Sequence, residues 1–294
     1  MRFGRRGGCG RGCQEGGVDL AGGVLATAGL AGLVYGLVQA AESGWTSVPA
    51  LLVLVLSVLA LLAFARVQAV RPHALVPLRL IRNPTVLGGN LVGLILGAAI
   101  YALFYFLSLF MGGTLGYGPV AVGLAFLPMT AAIAVASTAA GKLLARTGAR
   151  SLLVASALLV TAALASLSRI APDSTYLSTL LPAFVLAGCG LGLAFVALTT
   201  AAVGSATPGD SGVAAALFNA GQQVGGAIGL AVLTAVSTAR TASLTPEDAG
   251  PSRSAITQGW SLGFLVSAGI MSAGLLITLV MIKDRSPNPV TGQR

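Results

Sequence analysis

Three amide side chains, Asn219, Gln222 and Gln223, stand inside the apolar run Asp210 to Ala231, which reads DSGVAAALFNAGQQVGGAIGLA. On a helix, spacings of three and four residues bring them to one face. The chemistry such a face offers is hydrogen bonding. Gly221, Gly225 and Gly229 make a second stripe that admits a close neighbour, and Leu217, Val224 and Ile228 make a third face that is purely aliphatic. Three amides are expensive to expose to lipid, so they either line a wet cavity or clamp an adjacent helix.

A second stretch repeats this pattern. Asn90, Gly93, Gly97, Tyr101, Tyr105 and Ser108 fall within about 60° of Asn90 on a helical wheel, with Leu94 and Phe104 on the same side. The tyrosines offer a ring to stack on and a hydroxyl to bond, as a substrate path needs. Interhelical packing uses the same small and polar residues. A third stretch, AGCGLGLAF, has Gly188, Gly190 and Gly192 at alternate positions. A nucleotide loop needs a preceding strand and water, whereas this run is apolar throughout, so Gly188 and Gly192 are read as helix-packing residues.

What is missing narrows the function further. The acidic residues Glu15, Asp19, Glu42, Asp173, Asp210, Glu247, Asp248 and Asp284 all map to loops, tails or span ends. No titratable group is evident within the membrane, although proton-coupled carriers usually need one. His73 is the sole histidine, and no nucleophile is paired with a base, so no catalytic residue is assigned and the chain is not read as an enzyme. Cys9 and Cys13 lie in a Gly/Arg-rich leader with no second ligand pair, so no metal or other cofactor is expected.

These residues need membrane helices to position them. The chain has 294 residues, of which 55% are hydrophobic and 9% charged. Its mean hydropathy of +0.90 is that of a multi-pass membrane protein. The net charge of +9 punctuates the apolar spans and forms no single patch, which argues against nucleic acid. About eight segments approach the roughly 20 residues needed to cross a bilayer. They run from about Leu20 to Ala41, Val48 to Phe64, Leu87 to Met111, Val120 to Leu144, Ser151 to Leu167, Leu177 to Val203, Gly212 to Val236 and Trp260 to Ile282. Pro128 should kink the fourth, and Thr241 to Ser254 should form the longest loop toward the C-terminus. With the N-terminus inside, Arg2 to Arg11, Arg66 to Arg82, Lys142 to Arg150 and Lys283 to Arg294 fall on the cytoplasmic side, leaving only Arg169, Arg240 and Arg253 outside. Both termini are therefore expected to be cytoplasmic.

The loop GKLLARTGAR resembles the Gly-x-Leu-x-Asp-Arg-x-Gly-Arg-Lys signature of the major facilitator superfamily, through Gly141, Leu143, Arg146, Gly148 and Arg150. Ala145 replaces the signature's Asp. The succession GWTS at Gly44, LGYGPVAVGLAFLP from Leu115 and the run from Asp210 is similar to the fourteen-helix drug:proton antiporter branch over about Val18 to Ile282, with Gly112-Gly113 where relatives often carry glutamine. The resemblance implies an all-α membrane fold made of two central helices and the six-helix C-terminal bundle of a major facilitator. The expected divisions are a basic leader over residues 1–17, central helices over 18–68, a cytoplasmic connector over 69–86, the bundle over 87–283 and a tail over 284–294.

The reading that follows is a truncated or split multidrug-type efflux carrier of the plasma membrane. It would export small amphipathic compounds by proton-driven alternating access, and would be inactive without an N-terminal half, where the family's coupling carboxylates mostly lie. Its partners would be the lipid bilayer, the substrate and that missing half. Asn90, Tyr101, Tyr105, Asn219, Gln222 and Gln223 would line the path. Gly141, Lys142, Arg146, Gly148 and Arg150 would form the cytoplasmic gate loop. Gly188, Gly192, Gly221, Gly225 and Gly229 would pack helices. The competing reading is a non-transporting membrane partner or a pseudogene product; a membrane enzyme would need a reactive cluster that the sequence does not offer.

Overall fold

The structure, a computed structural model, describes residues 20–44, 46–70, 84–204, 211–246 and 250–282. The leader with Cys9 and Cys13, most of the basic connector with His73, Asp210 and the C-terminal tail lie outside the described residues. Among the described residues every regular element is helical. The elements are α1 (Leu20–Ser43), α2 (Val48–Val70), α3 (Pro84–Gly113), α4 (Pro119–Ala125), α5 (Leu127–Leu167), one π turn (Tyr176–Leu180), α6 (Leu181–Gly204), α7 (Ser211–Ser243) and α8 (Arg253–Met281).

Seven helical stretches are long and apolar enough to cross a membrane, where about eight segments were expected. The difference lies in one stretch, Pro119–Leu167, which is 49 residues long. Straight, it would measure about 74 Å, more than twice the hydrocarbon thickness. Gly148 breaks it, with φ 78° and ψ 164° in place of helical values. Glycine occupies that left-handed region at no steric cost. The same turns of α6 touch residues on both sides of the break: Gly188 and Gly192 approach Ala132 and Ala136, while Gly190 approaches Leu159 and Val160. The chain therefore folds back at Gly148, and α5 consists of two limbs that each run alongside α6. GKLLARTGAR is helical everywhere except at Gly148, so the expected loop is a single-residue break.

Pro128 interrupts the start of this stretch as its missing N–H dictates: α4 ends at Ala125, and α5 begins at Leu127 with proline in its first turn. Other helices outrun their hydropathy. α2 continues past Arg66 to Val70, α7 reaches Ser243 and α8 begins at Arg253, capped by Ser252 Oγ, which accepts from Ala255 N at 3.1 Å. The loop expected from Thr241 to Ser254 is shorter by that much.

The core is contiguous from α3 through α8 and includes Phe106, Phe110, Met129, Leu153, Phe184 and Phe264. The α1/α2 pair forms an antiparallel hairpin along a glycine stripe, with Gly29, Gly32 and Gly36 facing Leu61, Ser57 and Leu54. It joins the rest through α1, where Leu37 packs with Ala227 and Ala231 of α7. The outward side of α2, including Leu52, Leu56, Leu59 and Leu62, is exposed and suits lipid contact.

One end of α8, about 43 Å from the other, lies near the Gly148 break, because Arg150 Nη2 donates to the Leu279 carbonyl at 2.8 Å. At the far end, Ser261 Oγ donates to the Ser168 carbonyl and Thr241 Oγ1 to that of Ala255. Lys142, Arg146 and Arg150 are thus separated from Arg169, Arg240 and Arg253 by the length of the bundle, as the charge alternation requires.

Candidate functional site

α3 and α7 run parallel and interlock along two rows. Asn90, Leu94 and Ala98 meet Gly221, Gly225 and Gly229, each pair 131 positions apart in the numbering. Gly93, Gly97 and Tyr101 meet Phe218, Gln222 and Gly226, each pair 125 apart. Rows of residues four apart are the ridges that helices interdigitate, and glycine lets the backbones come close. At Gly97 and Gly225 the facing atom is a backbone carbonyl, of Gln222 and Leu94 respectively, so neither position has room for a Cβ.

The six residues expected to line a path are divided by this seam. Asn90 sits within it, half-buried: its Nδ2 donates to the Val86 carbonyl at 2.8 Å, while its Oδ1 is buried without a partner. Gln222 sets its backbone carbonyl against Gly97 in the seam, and its Nε2 is buried and unpaired. Asn219 and Gln223, four residues apart, are exposed. Asn219 Nδ2 donates to the Ala215 carbonyl of its own helix at 3.1 Å.

Gln223 reaches across instead. Its Oε1 accepts from Tyr101 Oη at 3.1 Å, while the Tyr101 ring rests on Gly226. Gly226 was not singled out in the sequence; its one signal is the doubled glycine at 225 and 226. With Tyr101 fixed, the next turns of α3 open an aromatic groove of about 440 Å³, lined by Ile100, Tyr101, Phe104, Tyr105, Ser108, Leu109 and Leu230. Phe104 is held from behind by a run of rings. It lies 4.9 Å from Phe126, which stacks on Phe184 at 5.2 Å, and Tyr176 meets Phe184 edge-on at 6.1 Å. Tyr176 Oη donates to the Ala125 carbonyl at 2.8 Å and anchors the run at the α4/α5 break. Such a groove can take a flat apolar body against Phe104 and Tyr105. Because the Tyr101 proton is directed to Gln223 Oε1, the Gln223 amide nitrogen remains to donate to a ligand.

Of the residues assigned to a gate, Gly141, Lys142 and Arg146 are exposed on the first limb of α5. Arg150 instead binds the last turn of α8, where carbonyls lack intrahelical donors and a cation meets the negative end of the helix dipole. Of the packing glycines, Gly188 and Gly192 face the Met129 and Ile133 carbonyls.

Residues 17–230 match the family model of the Major Facilitator Superfamily. The chain belongs to that superfamily. Among its major facilitator relatives, the puromycin resistance protein pur8 of Streptomyces alboniger is 40% identical over 219 residues, covering 74% of this chain and 43% of that protein. The cephamycin export protein CmcT of Amycolatopsis lactamdurans is 38% identical over 218 residues, 74% of this chain and 45% of that protein. The tetracenomycin C resistance and export protein of Streptomyces glaucescens is 31% identical over 215 residues, 73% of this chain and 40% of that protein. The chain spans less than half the length of these curated relatives.

Proposed function

We propose that the chain is the C-terminal portion of a multidrug-type efflux carrier, exporting small amphipathic compounds by proton-driven alternating access. α1 and α2 serve as the central helices of that carrier and α3 to α8 as its C-terminal bundle. The observation that carries this reading is the Tyr101–Gln223 bond at the mouth of an aromatic groove, beside the exposed amide of Asn219. Amides open on a membrane-spanning face need a wet cavity or a protein wall opposite them. Carriers of this kind bind substrate between two halves related by pseudo-symmetry, so a complementary N-terminal half, in the same polypeptide or supplied in trans, completes the cavity. The drug resistance and export roles in the relatives' names support the substrate class. The charge placement supports a plasma-membrane orientation with the Gly148 end cytoplasmic.

The test is dye efflux from drug-sensitive bacteria expressing this chain alone or together with the N-terminal half of a relative. Proton-dependent efflux is expected only from the combination, and it should fall in Tyr101→Ala. Efflux by the chain alone would overturn the need for a second half. A well-expressed combination that neither binds nor exports amphipathic dyes would overturn the transporter reading.

A further inference from the structure

The first limb of α5 carries, just before the Gly148 break, a second groove apart from the aromatic one, and it includes Lys142 of the expected gate loop. We propose that it holds one anionic phospholipid, with the headgroup phosphate on Lys142 and Arg146 and an acyl chain lying along Val135, Ala139 and Leu143. The groove has a volume of about 400 Å³ and is lined by Val135, Thr138, Ala139, Lys142 and Leu143. These residues form one strip along the helix, apolar at the Val135 end and cationic at the Lys142 end, with about 10 Å of rise between them.

A lipid has that same order of chemistry from tail to head. Thr138 does not alter it, because its hydroxyl donates to the Ala134 carbonyl at 2.9 Å. Arg146 is one turn beyond Lys142 and also exposed, so two cations stand side by side where the helix ends at Gly148. Arg150 is engaged with the end of α8 and does not compete for the phosphate. Neither Lys142 nor Arg146 forms an ion pair among the described residues. Asp173, the acidic residue whose side chain is described, follows Arg169 at the other end of the bundle. Cations at a membrane boundary attract anionic headgroups by roughly fivefold each, and the apolar strip adds the selectivity for a lipid over a free anion.

The experiment uses the full chain in nanodiscs of phosphatidylcholine with or without phosphatidylglycerol. The chain has two lysines, Lys142 and Lys283, so amine acetylation read by mass reports Lys142 directly on the unaltered protein. Phosphatidylglycerol is expected to slow Lys142 acetylation about fivefold relative to Lys283. In native mass spectrometry, Lys142→Gln or Arg146→Gln should cut retained phosphatidylglycerol by about the same factor, with retained phosphatidylcholine unchanged. Val135→Trp should fill the groove and release both lipids, and Arg240→Gln, at the opposite end, should change nothing. Equal acetylation in the two bilayers would overturn the proposal. So would displacement of the lipid by inorganic phosphate, which would make the site one for a soluble anion. Unchanged retention in Val135→Trp would leave only surface charge and overturn it as well.

Discussion

Within the α3–α8 bundle two seams are built by one device, glycines four residues apart, and they differ in what else they contain. Between α5 and α6, Gly188 and Gly192 face backbone carbonyls and alanine methyls, and the polar contact across is Ser137 Oγ donating to the Gly192 carbonyl at 3.2 Å. Between α3 and α7, glycine contacts of the same kind lie beside the acceptor Asn90 Oδ1 at Gly221, and Gln222, whose backbone carbonyl faces Gly97, buries the donor Nε2; both groups lack partners. A buried unpaired polar group costs roughly 1–3 kcal/mol. The α5/α6 seam is the drier of the two, although Thr161 Oγ1 on the second limb of α5 is also buried without a partner, and the α3/α7 seam gives up stability at Asn90 and Gln222.

The sharpest way to break this contrast is to overpack the dry seam. A Cβ at Gly192 would stand 2.6 Å from the Ile133 carbonyl oxygen, so Gly192→Leu is expected to cost about 3 kcal/mol or more, read by denaturant unfolding in micelles. Gly225→Ala, directed at the Leu94 carbonyl, should cost about 1–3 kcal/mol in the same assay. It should also abolish the Tyr101–Gln223 contact, which cysteine crosslinking between 101 and 223 would report. Gln222→Leu reverses the sign. Removing an unpaired donor while keeping side-chain bulk should leave the fold as stable or raise it by up to about 1 kcal/mol, whereas a loss of more than that would show that Gln222 is a clamp. Tyr101→Phe deletes a single interhelical hydrogen bond and should cost only about 0.6 kcal/mol, while lowering dye binding to the reconstituted carrier.

Much of this was legible in the residues. The stripe Gly221, Gly225 and Gly229 marked a packing face because spacing alone fixes which residues share a side. By the same rule Gly29, Gly32 and Gly36 could have been read as the α1/α2 seam. The wheel keeps angle and discards depth, so it grouped Asn90 with Tyr101 although 11 helical steps, about 16 Å, separate them; one lies in the seam and the other at the groove. The Tyr101–Gln223 bond joins residues 122 positions apart, and no local pattern encodes it. Hydropathy ended α2 near Phe64 and began α8 near Trp260 because it measures greasiness, whereas backbone hydrogen bonding carries both helices on through Arg66 and back to Arg253. Gly148 stands at a glycine position of the signature that the loop resembles, but its role as the fold-back point needed the contacts of α6 with both limbs.

The constant offsets of the α3/α7 rows have a mechanical meaning. The α7 side of the first row is uniformly small, with Gly221, Gly225 and Gly229, but the second row seats the Tyr101 ring on Gly226. Moving α7 by one repeat, about 6 Å, would set Tyr101 against Gln222 or Leu230, so the second row holds the first in one register. We expect paired cysteines at 94 and 225 to crosslink and those at 94 and 229 not to, and equal crosslinking of both pairs would show that α7 slips along α3.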